Sequence, residues 1–125
     1  MGTTIHEART ITVNGRKIPT DEEGYLLDPN QWDEDVARAL AEREGLTLTD
    51  THWGLINYFR EYYEDHQVNP SMRKLVLTLG RHHGEPFHDA KAYEEFLYEL
   101  FPTSPVAELS KLAGLPKPEE LLTGA

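Results

Sequence analysis

The chain carries six histidines and no cysteine. His82, His83 and His88, in "GRHHGEPFH", are the densest group of potential metal ligands. Successive helical residues diverge by about 100°, so His82 and His83 cannot readily chelate one ion, and the step to His88 crosses Gly84 and Pro86. They read as solvent-facing histidines at a loose helix end, and no metal site is expected. His52 precedes Trp53 in the first turn of a predicted helix, which suits a surface or capping residue better than a general base. The acids of Asp33-Glu34-Asp35, Glu94-Glu95 and Glu119-Glu120 are neighbours along helices and point in different directions. They read as solvated faces, with acids near a helix start favoured by its dipole. No phosphate-binding glycine pattern of the G-x-x-x-x-G-K-[ST] or G-x-G-x-x-G type occurs, and no Ser/His/Asp constellation can be selected. Without a thiol, the 125 residues hold no disulfide, no thiolate metal site and no persulfide. The expectation is a protein that is not an enzyme and needs no cofactor.

A net charge of −10 repels polyphosphate from most of the surface. The exception is residues 69–84, "NPSMRKLVLTLGRHHG", where Arg73, Lys74 and Arg81 occur without an acid, leaving −13 on the remainder. Helices predicted over 49–66 and 70–81 would form a helix-turn-helix-like pair. Arg73 and Lys74 would then stand near the start of the second helix, where recognition helices touch base edges. Three cations against an acidic field predict weak, salt-sensitive DNA binding. No apolar run approaches the roughly 18 residues of a membrane span, and no secretory pattern opens the chain, so cytoplasmic residence without membrane association is expected.

These residues must be positioned by a single domain. In "TITVNGRKI", Asn14-Gly15 suits the two positive φ angles of a type I′ hairpin turn, placing Ile11 opposite Ile18 and Val13 opposite Arg16. The apolar face of that hairpin needs a helical cover. A helix is predicted from the Asp28-Pro29 cap to Gly45, with Trp32, Val36 and Leu40 on one side. A second, 49–66, carries Trp53, Ile56, Phe59 and Tyr63 on its core stripe and Tyr58 and Tyr62 on another. A third, capped at Asn69-Pro70, turns Met72, Leu75, Val76 and Leu79 inward. A fourth, about 89–100, buries Tyr93, Phe96, Leu97 and Leu100, and a fifth follows Ser104-Pro105 with Val106, Leu109 and Leu112. Gly114 stops it, and Pro116 and Pro118 make Leu115-Pro116-Lys117-Pro118 extended and projecting. The fold class is thus α+β, mostly α: an N-terminal β-hairpin on four to five helices, with a core over 1–113 and a C-terminal arm over 114–125.

The motifs "VNGRKIPTDEEGYLLDPNQWDED", "TDTHWGLINYFREYYEDHQVNPSMRKLV", "YELFPTSPV" and "KLAGLPKP" occur in this order. From about Thr12 to Pro118 the chain resembles the DsrC/TusE family, small sulfur carriers related to the gamma subunit of dissimilatory sulfite reductase. The resemblance implies a helical core with an N-terminal hairpin and a mobile arm carrying a persulfide on a cysteine near its end. In DsrC-type members a second cysteine stands earlier, and the two form a disulfide or trisulfide during sulfite reduction. TusE-type members pass sulfur toward 2-thiouridine in transfer RNA. Here Leu121 stands at the position of the distal cysteine and Ser110 at that of the earlier one. The fold therefore transfers and the carrier chemistry does not.

Two functions follow as expectations. The first is a cysteine-less paralogue that docks on sulfur-relay or sulfite-reductase proteins and regulates them, with Leu115, Pro116, Lys117, Pro118 and Leu121 as the docking arm. The alternative is a DNA-binding regulator using Arg73, Lys74 and Arg81.

Overall fold

The computed structural model describes residues 9–80 and 90–118. Strands β1 (Arg9–Val13) and β2 (Arg16–Thr20) form an antiparallel hairpin in the predicted register, Ile11 opposite Ile18 and Val13 opposite Arg16. Asn14 and Gly15 take φ values of 52° and 82°, as the tight turn demands. Ile11, Val13 and Ile18 are buried, and β1 packs on the first α-helix. Two polar contacts pin the turn to that helix's start: Asn14 Nδ2 donates to Asp35 Oδ2 at 2.9 Å and Arg16 Nη2 to Asp33 Oδ2 at 3.1 Å. After β2, Asp21 Oδ1 accepts the amides of Glu23, Gly24 and Tyr25 at 2.8–3.0 Å. This knot turns Tyr25 and Leu26 into the core.

The helix predicted from Asp28 to Gly45 is two elements. Asp28 caps a 3-10 turn, Pro29–Gln31; Trp32 and Asp33 are extended; Asp33 then caps α1 (Glu34–Arg43) by accepting the Val36 amide at 2.9 Å. Two Asx caps five residues apart each start a helix, and the break frees Trp32 to turn toward the C-terminal segment. Asp33→Ala removes that cap and the acceptor for Arg16. A loss of about 1–2 kcal/mol is expected, read as a lower urea midpoint at unchanged slope.

Helix α2 (Asp50–His66) matches its predicted span and ends at Gln67 in the left-handed region. The third helix departs from expectation: α3 (Met72–Leu75) is one turn, capped by Ser71, and passes into a π-helical turn, Val76–Gly80. The cap is Ser71 because the Asn69 amide is drawn elsewhere, to Ser110 and Pro116. Leu75, the last residue of α3, and Val76, the first of the π turn, are both buried, as the predicted inward face has them. Helix α4 (Ala90–Leu100) buries Tyr93 and Leu97 and packs on the π turn. Helix α5 (Pro105–Leu112), capped by Ser104, packs against α1, α2 and α4, with Val106, Leu109 and Leu112 buried as predicted. Among the described residues, no helix is long and apolar enough to cross a membrane.

Candidate functional site at the base of the arm

The chain leaving α5 is held by side chains from four other parts of the fold. Trp32 Nε1 donates to Leu112 O at 2.7 Å, Arg60 Nη1 to Ala113 O at 2.7 Å, and Asn69 Nδ2 to Pro116 O at 2.7 Å. Lys117 Nζ lies 2.7 Å from Glu23 Oε1. The Leu115 amide turns back to Ser110 O at 2.9 Å. Leu115–Pro118, expected to project, therefore lies along the body, with Leu115 and Pro118 buried, Pro116 exposed and Lys117 half-buried. The prolines bias the residues before them toward extended geometry. Donors distant in sequence, aimed at the carbonyls of Leu112, Ala113 and Pro116, set the segment's direction.

Gly114 makes this path possible. Its φ is +74°, and a Cβ there would lie 2.5 Å from Trp32 Cδ1 and 2.8 Å from Trp32 Cβ and Cγ. The same indole lies under Arg60, whose guanidinium carbon is 3.8 Å from the ring centroid. Burial draws Arg60 down from its ordinary value while Glu64 opposes the change, and a guanidinium starting so high stays cationic. Beside this stack opens a groove of about 470 Å³, walled by Pro29, Trp32, Tyr63 and Leu115 and rimmed by Glu61 and Glu64.

Ser110 is fully buried, and its Oγ accepts from Asn69 Nδ2 at 3.1 Å. Behind it, Lys111 Nζ lies 2.9 Å from Glu44 Oε2 and 3.7 Å from Glu108 Oε2. Burial, then the hydrogen bond with Glu44, pushes the Glu108 carboxyl up to about 7. Burial also opposes ionisation of Glu44, but hydrogen bonds with Glu108 and Lys111 outweigh it and hold that carboxyl below its usual range. Tyr25 closes the cluster, its ring 5.6 Å from Lys111 Nζ and its hydroxyl 3.4 Å from Ala107 O.

The other predicted residues are dispersed. Arg73 and Lys74 are exposed on one turn of α3, too short and too quickly widened to present a regular recognition helix, and Arg81 lies outside the described residues. His82, His83, His88, Glu119, Glu120 and Leu121 also lie outside them. Glu94 and Glu95 are exposed, and Glu34 and Asp35 pair with Arg38 on the surface of α1. His52 caps α2 as expected, its Nδ1 accepting the Thr49 amide at 3.0 Å, but it is buried rather than on the surface. It stands edge-on to Phe101, and burial lowers its pKa. Tyr58 and Tyr62 are half-buried, with rings 6.0 Å apart. Among the described residues no group of three or more His, Asp or Glu could hold a metal ion. Sequence reasoning missed Trp32 with Arg60, Asn69, and the set of Glu44, Glu108 and Lys111. Only the uncommon placement of Trp32 directly before a second capping Asp hinted at any of these.

Residues 12–122 match the family described as DsrC like protein. The sulfurtransferase TusE homolog of Haemophilus influenzae is 40% identical over 112 residues, which span 90% of this chain and 99% of that protein. The solution structure of Allochromatium vinosum DsrC superposes with a TM-score of 0.77 at 42% identity, covering 89% of this chain and 96% of that one. The oxidized gamma subunit of the Archaeoglobus fulgidus dissimilatory sulfite reductase gives 0.71 at 36% identity, covering 87% and 96%. With a hairpin, five helices and a match over nearly its whole length, this chain belongs to the DsrC/TusE family of sulfur-relay proteins.

Proposed function

We propose that this chain is a non-catalytic, cytoplasmic member of the family that docks on a sulfur-relay or sulfite-reductase protein and modulates it without accepting sulfur. The observation that supports this reading is a fully built arm base on a chain with no cysteine. A persulfide needs a thiolate, and the buried Ser110 hydroxyl and the Leu121 side chain offer none. The contacts that fix Leu112–Lys117 are those a docking element needs, since ordering the segment in advance spares its entropy on binding. The arm over 114–125 then begins with a section laid on the body, and the groove beside Trp32 and Leu115 is where a partner contacts both at once. The acidic rim favours a partner with basic side chains around its receiving site. A neighbour that is itself the gamma subunit of a sulfite reductase supports the partner class.

Adding the purified chain to sulfur transfer by a cysteine-bearing relative tests this. By mass action, the chain at ten times its dissociation constant for the shared partner is expected to lower the initial rate about ten-fold while remaining free of cyanolysable sulfur. A version ending at Pro118 assigns the effect to the body if inhibition survives and to the last seven residues if it does not. An unchanged rate at saturating excess refutes the proposal.

A further inference from the structure

The contacts around Glu108 lead away from α5 toward the arm. Glu108 and Glu44 are two carboxyls with one ammonium, Lys111, between them, and Glu108 Oε1 is buried with no hydrogen-bond partner. The Lys111 stem lies against Gly24, where an added Cβ would come within 3.1 Å of Lys111 Cδ. Gly24 belongs to the Asp21–Tyr25 knot, and that knot presents Glu23 to Lys117. The carbonyl of Lys111 also accepts the Gly114 amide at 3.1 Å. One lysine thus touches the carboxyl pair, the loop that grips the arm base, and the turn from which the arm leaves.

We propose that the Glu44–Glu108 pair is a proton-operated catch on the arm base: with Glu108 protonated, Lys111 stays bonded to Glu44 and the knot is seated, and ionisation of Glu108 draws Lys111 from that place and loosens both the Glu23–Lys117 grip and the turn at Gly114. Ionised Glu108 is a second anion competing for Lys111 in a partly desolvated place. The charged groups around the pair are few. Tyr25 on the knot, which stays neutral, feels both carboxyls together with Asp21 and Glu23, and Arg43 on α1 is an added cation on the Glu44 side. From α2, Arg60 reaches the opposite side of the turn at Ala113 O. Burial and the hydrogen bond to Glu44 place the change near neutrality.

Native-state amide exchange on the free, full-length chain reads this without any partner, so its failure is separate from failure of the docking proposal. Between pH 6 and pH 8, after correction for intrinsic exchange, protection of the Gly114 and Leu115 amides is expected to fall about ten-fold, while the Ile56 and Phe59 amides of α2 change little. Glu108→Gln keeps a donor toward Glu44 without a charge and is expected to hold protection constant over that range. Glu44→Gln, which removes the like charge, is expected to move the transition to lower pH and serves if the first variant folds poorly. Protection at 114 and 115 that is independent of pH in the unsubstituted chain overturns the proposal. So does an equal loss in α2, or a full pH dependence retained in Glu108→Gln.

Discussion

Gly114→Ala is expected to lower stability by about 3 kcal/mol. A left-handed φ costs an L-residue about 1–2 kcal/mol, and forcing a methyl against a packed ring costs about 1–3 kcal/mol. The neighbour is the body of the Trp32 indole and its Cβ, not the end of a flexible chain, so it cannot simply swing aside. The indole is also held from two other directions, by its hydrogen bond to Leu112 O and by the Arg60 stack. Displacing it releases the first tether of the arm base. Urea denaturation of Gly114→Ala, Trp32→Ala and the double variant checks this. The double variant is expected to lose less than the sum of the two, because removing the ring removes the overlap. Strict additivity, or a loss below about 0.5 kcal/mol for Gly114→Ala, would mean that the ring does not pack on this glycine.

Lys111→Met is expected to destabilise by about 2 kcal/mol at pH 8 and distinctly less at pH 5. Breaking a buried ion pair costs about 3–5 kcal/mol, reduced here because Glu44 and Glu108 keep 30% and 21% of their side-chain surface exposed. The pH dependence follows from which state binds the proton. Glu108 titrates near 7 in the folded chain against an ordinary 4.5, so between those values the folded state holds a proton that the unfolded state has lost. Its contribution to stability is complete below about 4.5 and disappears as the pH rises through about 7. Glu44 is shifted the other way, so its contribution is present above its ordinary range and lost as the pH falls through its lowered value. Removing Lys111 leaves two carboxyls with no cation between them, which matters most where both would ionise. Denaturant midpoints measured across pH 5–8 are expected to fall more steeply in the variant than in the unsubstituted chain. Parallel curves would show that Lys111 does not hold the pair.

The elements that could be read from sequence are those whose cause is local. Asn14-Gly15 dictates a turn whose register buries Ile11 and Ile18 together, and Thr49 to His66 carries one uninterrupted apolar stripe. Where two local signals compete, the sequence alone misleads. Asp28 and Asp33 are both good caps, and the periodicity of Trp32, Val36 and Leu40 masks the break between them. In the same way, the Met72–Leu79 spacing suits a regular helix, but the chain makes one α-helical turn capped by Ser71 and then a π turn.

The sequence by itself determined the fold class, the family and the lack of a thiol, because hydrophobic period, turn residues and residue identity are properties of short stretches. It also biased Leu115–Pro118 toward extended geometry, since proline restricts its own φ and the conformation of the residue before it. Whether that segment leaves the body or lies upon it was decided only by the tertiary structure. Trp32, Arg60 and Asn69 lie 47–80 positions away from the carbonyls they bind. No local rule links residues at such separations. Glu44, at the end of α1, and Glu108, on α5, likewise come to share one lysine only because α1 and α5 pack together.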